Sequence, residues 1–257
     1  MPAELTLSLG TLWSFLLVLT RVAGAFTFVP LPGVSGVIAP ARVAFALGFT
    51  MALSARWPAM ENLHPTAGAL TVWVVTEAAV GIAIGVCISI VVEAVTLATQ
   101  VLGLPAGYGY ASTVDPNTQA DAGILVVLAQ LVAGMLFFAL GLDREMLRLF
   151  AQSLDRVPAG VYLFAPGSAV PVIQLFGNLF SVGVRLALPV VALLIMVDVA
   201  MALLGRLNAQ LQLLSLSFPA KMLVALLVLA WVAPLIPRVL WELSGHAWAA
   251  ARRVLGM

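Results

Sequence analysis

Residues 68–92 read GALTVWVVTEAAVGIAIGVCISIVV, an apolar run in which Glu77 is the one charged residue. About 20 apolar residues in a helix cross a bilayer, so this run predicts a transmembrane helix. Further apolar segments lie at about 5–29, 37–55, 122–142, 172–204 and 220–240. The pattern predicts an all-α, membrane-associated fold of about six hydrophobic helices or helical hairpins. Pro189 and Pro234 fall inside apolar runs, where proline kinks or breaks a helix.

The composition is that of an integral membrane protein. Hydrophobic residues make up 63% of the 257 residues and charged residues 9%, against about 25% charged residues in soluble domains. We expect one domain over residues 1–257, in contact with membrane lipid. The net charge of +1 gives no electrostatic basis for a nucleic-acid partner. The single cysteine, Cys87, cannot form an internal disulfide and is expected to be a small core residue.

The most prominent polar interruption is GLPAGYGYASTVDPNTQAD, residues 103–121. Gly103, Gly107 and Gly109 prevent a regular helix and give the backbone many accessible conformations. Tyr108 and Tyr110 project from this backbone. Non-helical backbone beside membrane helices must be buried in protein or line a watery cavity. The segment therefore predicts a pore, gate or ligand loop, with an ordinary extramembrane connection as the alternative.

A row of mostly small residues follows the 68–92 helix at every fourth position. Its members are Glu77, Gly81, Gly85, Ser89 and Glu93. Residues four apart share one helix face, and small residues at this spacing let another backbone approach closely. We interpret the row as a packing and assembly surface. A charge at membrane depth costs about 2.5–3.5 kcal/mol, so Glu77 should face protein or water, whereas Glu93 is expected to end the helix.

Asp198 lies in the apolar run 186–205, which Arg185 and Arg206 flank. A partner on another helix or subunit is the first explanation for an acid in such a run. A proton relay is the alternative, although no second acid or histidine stands at helical spacing within the run.

Catalytic signatures are absent from the sequence. There is no HEXXH, GXSXG, CXXC or Walker A motif, and the histidines, His64 and His246, are isolated. We therefore expect no enzyme, no cofactor and no metal site. A small-solute or ion transporter that uses Glu77 and Asp198 stays open as an alternative, although no inverted repeat is visible.

Basic residues are divided unequally between alternate connections. One side has Arg56, Arg144, Arg148, Arg156, Arg238, Arg252 and Arg253, and the other has Arg42, Arg206 and Lys221. Cytoplasmic connections carry the excess, so both termini are expected in the cytoplasm. The 93–121 connection has no Lys or Arg, which places it on the far side or within a pore wall.

Several stretches share the order and spacing of one family's motifs. Gly103, Gly107 and Asp115-Pro116 match the loop pattern Gly-x-Gln-Met-Gly followed by Asp-Pro, with Pro105-Ala106 in place of Gln-Met. Residues 206–219 align without gaps with Arg-x-x-Pro-Gln-Met-Asn-Val-Phe-x-Ile-Gly-Phe-Pro. They keep Arg206, Gln210, Phe218 and Pro219, and depart at Ala209, Gln212, Leu214 and Ser217. Further matches are Arg21, Gly24, Pro30, Pro40, Ser153, Pro158, Gly160, Ala187, Leu188 and Pro189, whereas Leu142-Asp143-Arg144 replaces Gly-His-His. On these motifs the chain resembles the FliR family of flagellar type III export gate proteins.

The resemblance implies a multi-pass protein of the bacterial inner membrane, at the flagellar basal body. Its partners would be FliP, FliQ, FlhA and FlhB, and its cargo unfolded flagellar proteins. Residues 1–170 would be FliP-like and residues 171–257 FliQ-like, with a pore loop at 103–121 that plugs the closed channel through roughly residues 104–115. The gate residues implied are Gly103, Gly107, Tyr108, Gly109, Tyr110, Asp115 and Pro116. The packing and assembly residues are Glu77, Gly81, Gly85, Ser89, Asp198, Arg206, Gln210, Phe218, Pro219 and Lys221.

The homologous SctT family of virulence type III secretion is the nearest alternative, and it differs in substrate but not in mechanism. Neighbouring flagellar or injectisome genes would distinguish the two.

Overall fold

The computed structural model describes residues 9–29, 39–58, 60, 66–103, 105–107, 124–161, 167–207 and 213–257. Regular structure within these residues is helical throughout, which confirms the all-α prediction. The helices are α1 (Leu9–Phe26), α2 (Ala39–Ala52), α3 (Ala67–Gly103), α4 (Ile124–Ala139), α5 (Leu142–Arg156), α6 (Val170–Leu207), α7 (Leu213–Val232) and α8 (Ile236–Val254). Short 3-10 turns lie at Ser54–Arg56 and Ala233–Leu235.

The expectation that Glu93 ends its helix is wrong, because α3 continues to Gly103. Residues 94–102 contain no glycine or proline, so nothing in the backbone stops the helix after Glu93. It ends where Gly103 and Pro105 follow in the sequence. Residues 93–103 therefore belong to the helix and not to the connection predicted at 93–121.

A further helix, α5, lies between the predicted apolar segments 122–142 and 172–204. Leu140 and Gly141 separate α4 from α5, and Gly141 has a positive φ of 70°, which glycine adopts at little cost. α5 is amphipathic. Its buried positions are Leu142, Met146, Leu149, Phe150, Ser153 and Leu154, the spacing of one helix face, while its charged residues lie between them.

The two prolines inside apolar runs behave differently. α6 continues through Pro189 from Val170 to Leu207. Pro234 lies in the 3-10 turn at Ala233–Leu235, which separates α7 from α8.

The chain folds as two compact units, each assembled from separate stretches of sequence. Unit 1 comprises Met1–Ile90, Gly141–Leu175 and Ser244–Met257, and unit 2 comprises Val91–Leu140 and Phe176–Leu243. This division differs from the expected FliP-like part at 1–170 and FliQ-like part at 171–257, which stay a prediction.

The core of unit 1 forms where α1 and α3 bury their apolar faces. Leu17, Val18 and Val22 of α1 are fully buried, as is Val80 of α3. Aromatic rings extend this core: Phe49 of α2 lies between Phe26 and Phe150, and both centroid distances are 5.5 Å. α1, α2 and α5 are therefore joined by side-chain packing within unit 1.

The core of unit 2 is a compact cluster of small and branched side chains. Its buried members are Ala98, Leu102, Ala106, Ala187, Val190, Leu194 and Ala225. They come from the end of α3, the turn after it, α6 and α7. α3 and α6 approach closely here, since a Cβ on Gly183 would lie 2.8 Å from Leu97 Cδ2 and 3.3 Å from Ala94 O.

Four helical segments of the described chain are long and apolar enough to cross a membrane, or five if α4 and α5 form one broken span. All six predicted apolar segments contain a helix, but α2 has only 14 residues, fewer than a span requires. In an apolar stretch of 18 residues within α3, 61% is buried inside the protein. The corresponding share is 17% in α6 and 17% in the Pro219–Val254 segment. α3 is therefore largely enclosed by its own chain, whereas α6 and α7 are not.

Candidate functional site

A buried ion pair joins α1 to α3 in unit 1. The Arg21 Nε–H donates to Glu77 Oε2 at 2.5 Å, and Nη2 donates to Glu77 Oε1 at 3.0 Å. Both side chains have a relative exposure of 0%. The paired geometry is the two-point contact between guanidinium and carboxylate that gives the strongest charge-assisted hydrogen bonds.

The same arginine also binds the C-terminal end of α5. Its Nη1 donates to the carbonyl oxygens of Ser153 and Val157, each at 3.0 Å. Helix C-termini carry a partial negative charge and unsatisfied carbonyl groups, so a guanidinium is well placed there. The Gly160 N–H donates to Glu77 Oε1 at 2.9 Å, which ties the turn after α5 to the carboxylate. Arg21 and Glu77 thus connect three separate parts of unit 1.

Close approach of α1 and α3 makes this ion pair possible. A Cβ on Gly81 would lie 2.0 Å from Arg21 O, and one on Gly85 would lie 2.4 Å from Ala25 O. On the facing helix, a Cβ on Gly24 would lie 2.7 Å from Ala78 O. The predicted row of small residues therefore packs against α1 of the same chain. Ser89, the next small residue of the row, donates its hydroxyl to Val86 O of its own helix at 2.9 Å.

The base of the glycine-rich loop is fixed in the core of unit 2. The Ala106 N–H donates to Leu102 O at 3.0 Å, and both residues are buried, with exposures of 0% and 1%. Gly107 follows with a φ of 84°, a left-handed conformation that favours glycine. The remaining predicted gate residues, Tyr108, Gly109, Tyr110, Asp115 and Pro116, lie outside the described residues. Gly103 is the last residue of α3.

Asp198 of α6 is paired with Lys221 of α7, and both residues belong to unit 2. The Lys221 Nζ contacts Asp198 Oδ1. The two side chains differ in exposure, at 48% for Asp198 and 17% for Lys221. The partner on another helix that the sequence indicates for Asp198 thus comes from the same chain.

The other predicted assembly residues lie around the connection between α6 and α7. Arg206 is in the last turn of α6, and Pro219 lies within α7. Phe218 also belongs to α7, and Gln210 lies outside the described residues. Arg206, Phe218 and Pro219 are therefore all part of unit 2, as Asp198 and Lys221 are.

Sequence reasoning misses the convergence of Arg21, Glu77 and Gly160 on one site. Each stands out separately, Glu77 as a charge in an apolar helix and the other two as members of matched motifs. The signal that could have joined them is charge: Arg21 and Glu77 are opposite charges within separate apolar segments, and each requires a partner.

The described residues offer no group of three or more His, Cys, Asp or Glu side chains that could hold a metal ion. Glu77 accepts hydrogen bonds at both carboxylate oxygens and is sealed from solvent. In this arrangement it cannot take up an ion from water, which argues against its use in a transport pathway.

Comparison with known proteins gives a consistent result. The family model described as "Bacterial export proteins, family 1" matches residues 12–247. The flagellar biosynthetic protein FliR of Escherichia coli K12 is 26% identical over 219 residues, which cover 85% of this chain and 83% of the relative. FliR of Bacillus subtilis 168 is 24% identical over 226 residues, 84% of each protein. FliR of Caulobacter vibrioides is 24% identical over 204 residues, with coverages of 78% and 81%. These matches confirm the resemblance that the motifs indicate.

Replacing Arg21 by Met should destabilise the chain by about 3–5 kcal/mol, because it leaves Glu77 buried and unpaired. Arg21→Met/Glu77→Leu, which removes both charges, should recover part of this loss. Thermal unfolding of the purified chain in detergent measures both effects. Arg148→Ala is the matched control, since its exposed pair with Glu145 contributes about 0–1 kcal/mol. Equal melting temperatures for Arg21→Met and Arg148→Ala would contradict a stabilising role for the pair.

Gly85→Ala should reduce the folded fraction, because the new Cβ would overlap Ala25 O and force α1 away from α3 at a cost of about 1–3 kcal/mol. Gly68→Ala on the same helix is the control, since nothing lies within 4 Å of its Cβ position. Size-exclusion profiles and protease resistance report the folded fraction of each variant. Indistinguishable behaviour of the two alanine variants would show that the close approach at Gly85 is dispensable.

Proposed function

Because this chain belongs to family 1 of the bacterial export proteins, we propose that it is a subunit of the flagellar type III export gate. In this proposal it assembles with FliP and FliQ, and unfolded flagellar proteins cross the inner membrane through the channel that the subunits surround. FlhA and FlhB are the further partners proposed. The relatives matched over most of their length carry a flagellar name, which favours the flagellar system over virulence secretion.

The observation that supports assembly is the uncovered apolar surface of α6 and α7. Phe180, Met196 and Leu203 of α6 are 61%, 66% and 59% exposed, and Leu227 and Trp231 of α7 are 70% and 77% exposed. Lipid covers such side chains only over the bilayer's hydrocarbon thickness of about 30 Å. α6, with 38 residues at about 1.5 Å rise each, is close to twice that length. Neighbouring protein subunits are the natural cover for the remainder.

The observation that supports gating is that the base of the loop is packed in a core, whereas the residues after Gly107 have a sequence rich in glycine and tyrosine. Leu102 and Ala106 hold the base in a packed core, and Gly107 follows in a left-handed backbone conformation. The segment that follows contains Gly109 and the side chains of Tyr108 and Tyr110, which combine bulk with a polar tip. A plug needs both properties, since its base must stay attached while its tip is displaced. A passing polypeptide must favour the displaced loop by only a few kcal/mol.

A gate of this kind performs no chemistry. Its task is to hold a conduit closed and to open it when a substrate enters, with the energy supplied elsewhere in the apparatus. The transporter alternative is weaker, because Glu77 is fully buried and bonded within the chain, and no second acid or histidine stands at helical spacing from Asp198 within its apolar run.

The proposed orientation places both termini in the cytoplasm. The excess of arginine on α5 and near the end of α8 supports it.

Removing residues 108–111 should make the closed channel leak, because the deletion takes both tyrosines and leaves the buried base at Ala106 intact. Cells expressing the deletion should become sensitive to small solutes, and membranes should show increased conductance. Removal of residues 117–120 is the control of equal length in the same segment, outside the proposed plug at 104–115. Copurification with FliP and FliQ establishes that each variant assembles. A tight, assembled channel without residues 108–111 would show that the loop is only a connector.

A tag placed after Met257 should be accessible from the cytoplasm and protected in intact spheroplasts. Labelling before and after permeabilisation with a membrane-impermeant reagent measures this. Labelling of the tag in intact spheroplasts would place the C-terminus in the periplasm and reverse the proposed orientation.

A further inference from the structure

The Asp198–Lys221 pair is unequal in a way that the Arg21–Glu77 pair is not. Arg21 and Glu77 are both fully buried, whereas Asp198 is 48% exposed beside a Lys221 that is 17% exposed. Lys221 approaches Oδ1 of Asp198. The ammonium group is therefore turned toward its own chain, and the pair presents the carboxylate to the outside.

The surface around this carboxylate is apolar. Ile195, one turn before Asp198 on the same face of α6, and Val199, the residue after Asp198, are both 54% exposed. Side chains of this kind exclude water when another surface covers them. Covering them would also remove the outward side of Asp198 from solvent.

A covered carboxylate needs hydrogen-bond donors on the side that Lys221 does not occupy. Burial of an ionised group without a partner is strongly unfavourable, and lipid hydrocarbon supplies no donor. An apolar helix from another protein could cover Ile195 and Val199 but would leave Asp198 unsatisfied. A helix that carries a lysine or arginine at this point would satisfy both requirements, and its charge is opposite to the exposed pole of the pair.

We propose that Asp198 is an intersubunit docking residue, whose outward carboxylate oxygen binds a lysine or arginine on a membrane helix of a neighbouring gate subunit. Ile195 and Val199 provide the apolar surface beside this contact. Lys221 is a positioning residue that holds the carboxylate toward the partner. The inference rests on the proposed assembly of this chain with other subunits and identifies one point at which they meet.

A charge exchange separates the internal pair from the contact with a partner. Asp198→Lys/Lys221→Asp keeps an ion pair between α6 and α7 but presents an ammonium group to the outside. Asp198→Asn removes the charge with little change in shape. Both variants are expressed with the whole gate, and the partner subunits that copurify with the tagged chain are quantified against the amount of that chain in the membrane.

We expect the charge exchange to lower partner recovery by about tenfold or more, which corresponds to about 1.4 kcal/mol. Asp198→Asn should act in the same direction. Mutations that restore assembly of the exchanged chain should convert a lysine or arginine of a partner helix to an acidic residue. Recovery equal to that of the parent chain would overturn the proposal, since Asp198 would then serve only its pair with Lys221.

A second measurement covers the case in which the exchanged chain does not fold. A photo-crosslinking residue at Val199 of the otherwise unaltered chain should capture a partner subunit in the assembled gate. Capture of lipid alone, or of a second copy of this chain, would overturn the proposal. So would reaction of Val199→Cys, in a Cys87→Ala background, with an impermeant thiol reagent, because the surface would then be wet. Failure of the parent chain to recover any partner would instead refute the proposed function.

Discussion

Unit 1 depends on one interaction, the buried pair of Arg21 and Glu77. Each charge alone is unfavourable in an apolar helix, and each has a partner only when α1, α3 and the end of α5 come together. The glycines at 24, 81 and 85 allow the two backbones to approach closely enough for the pair to form. Charge and small size therefore act together: the pair specifies which helices meet, and the glycines determine how near they come.

Much of the fold could be predicted from the sequence, because apolar length alone identifies helices that a membrane can accommodate. Hydropathy alone misplaces the end of α3, since Thr96, Thr99 and Gln100 make the residues after Glu93 less apolar, although no glycine or proline stops the helix before Gly103. α5 escapes prediction for a related reason. Its charged and apolar residues are interspersed, so its average hydropathy is too low to predict a membrane helix. The buried residues Met146, Leu149 and Phe150 nevertheless have the spacing of one helix face.

The candidate site was predictable in its parts but not in its connections. The sequence predicts that Glu77 faces protein or water and that the glycine row packs against another backbone. Spacing does not identify their common partner, α1, because Arg21 and Glu77 are 56 residues apart; only their opposite charges in two apolar segments indicate it. For Asp198 the sequence indicates a partner on another helix or subunit, and Lys221 of α7 is one such partner. Side-chain exposure distinguishes a charge that is paired within the chain from one that is open to another subunit, and a single sequence does not reveal this exposure.

The two ion pairs illustrate how one physical rule serves two purposes in a membrane protein. A carboxylate in an apolar helix must be satisfied, and the chain can do this completely or incompletely. At Glu77 both oxygens are used within unit 1, so the site gains nothing from a neighbour and is suited to holding the chain together. At Asp198 one side of the carboxylate remains open on an apolar surface, so any protein that covers this surface must supply a hydrogen-bond donor to it. An incompletely satisfied charge therefore makes assembly more selective than apolar contact alone, because a helix without a matching donor would bury it at a cost.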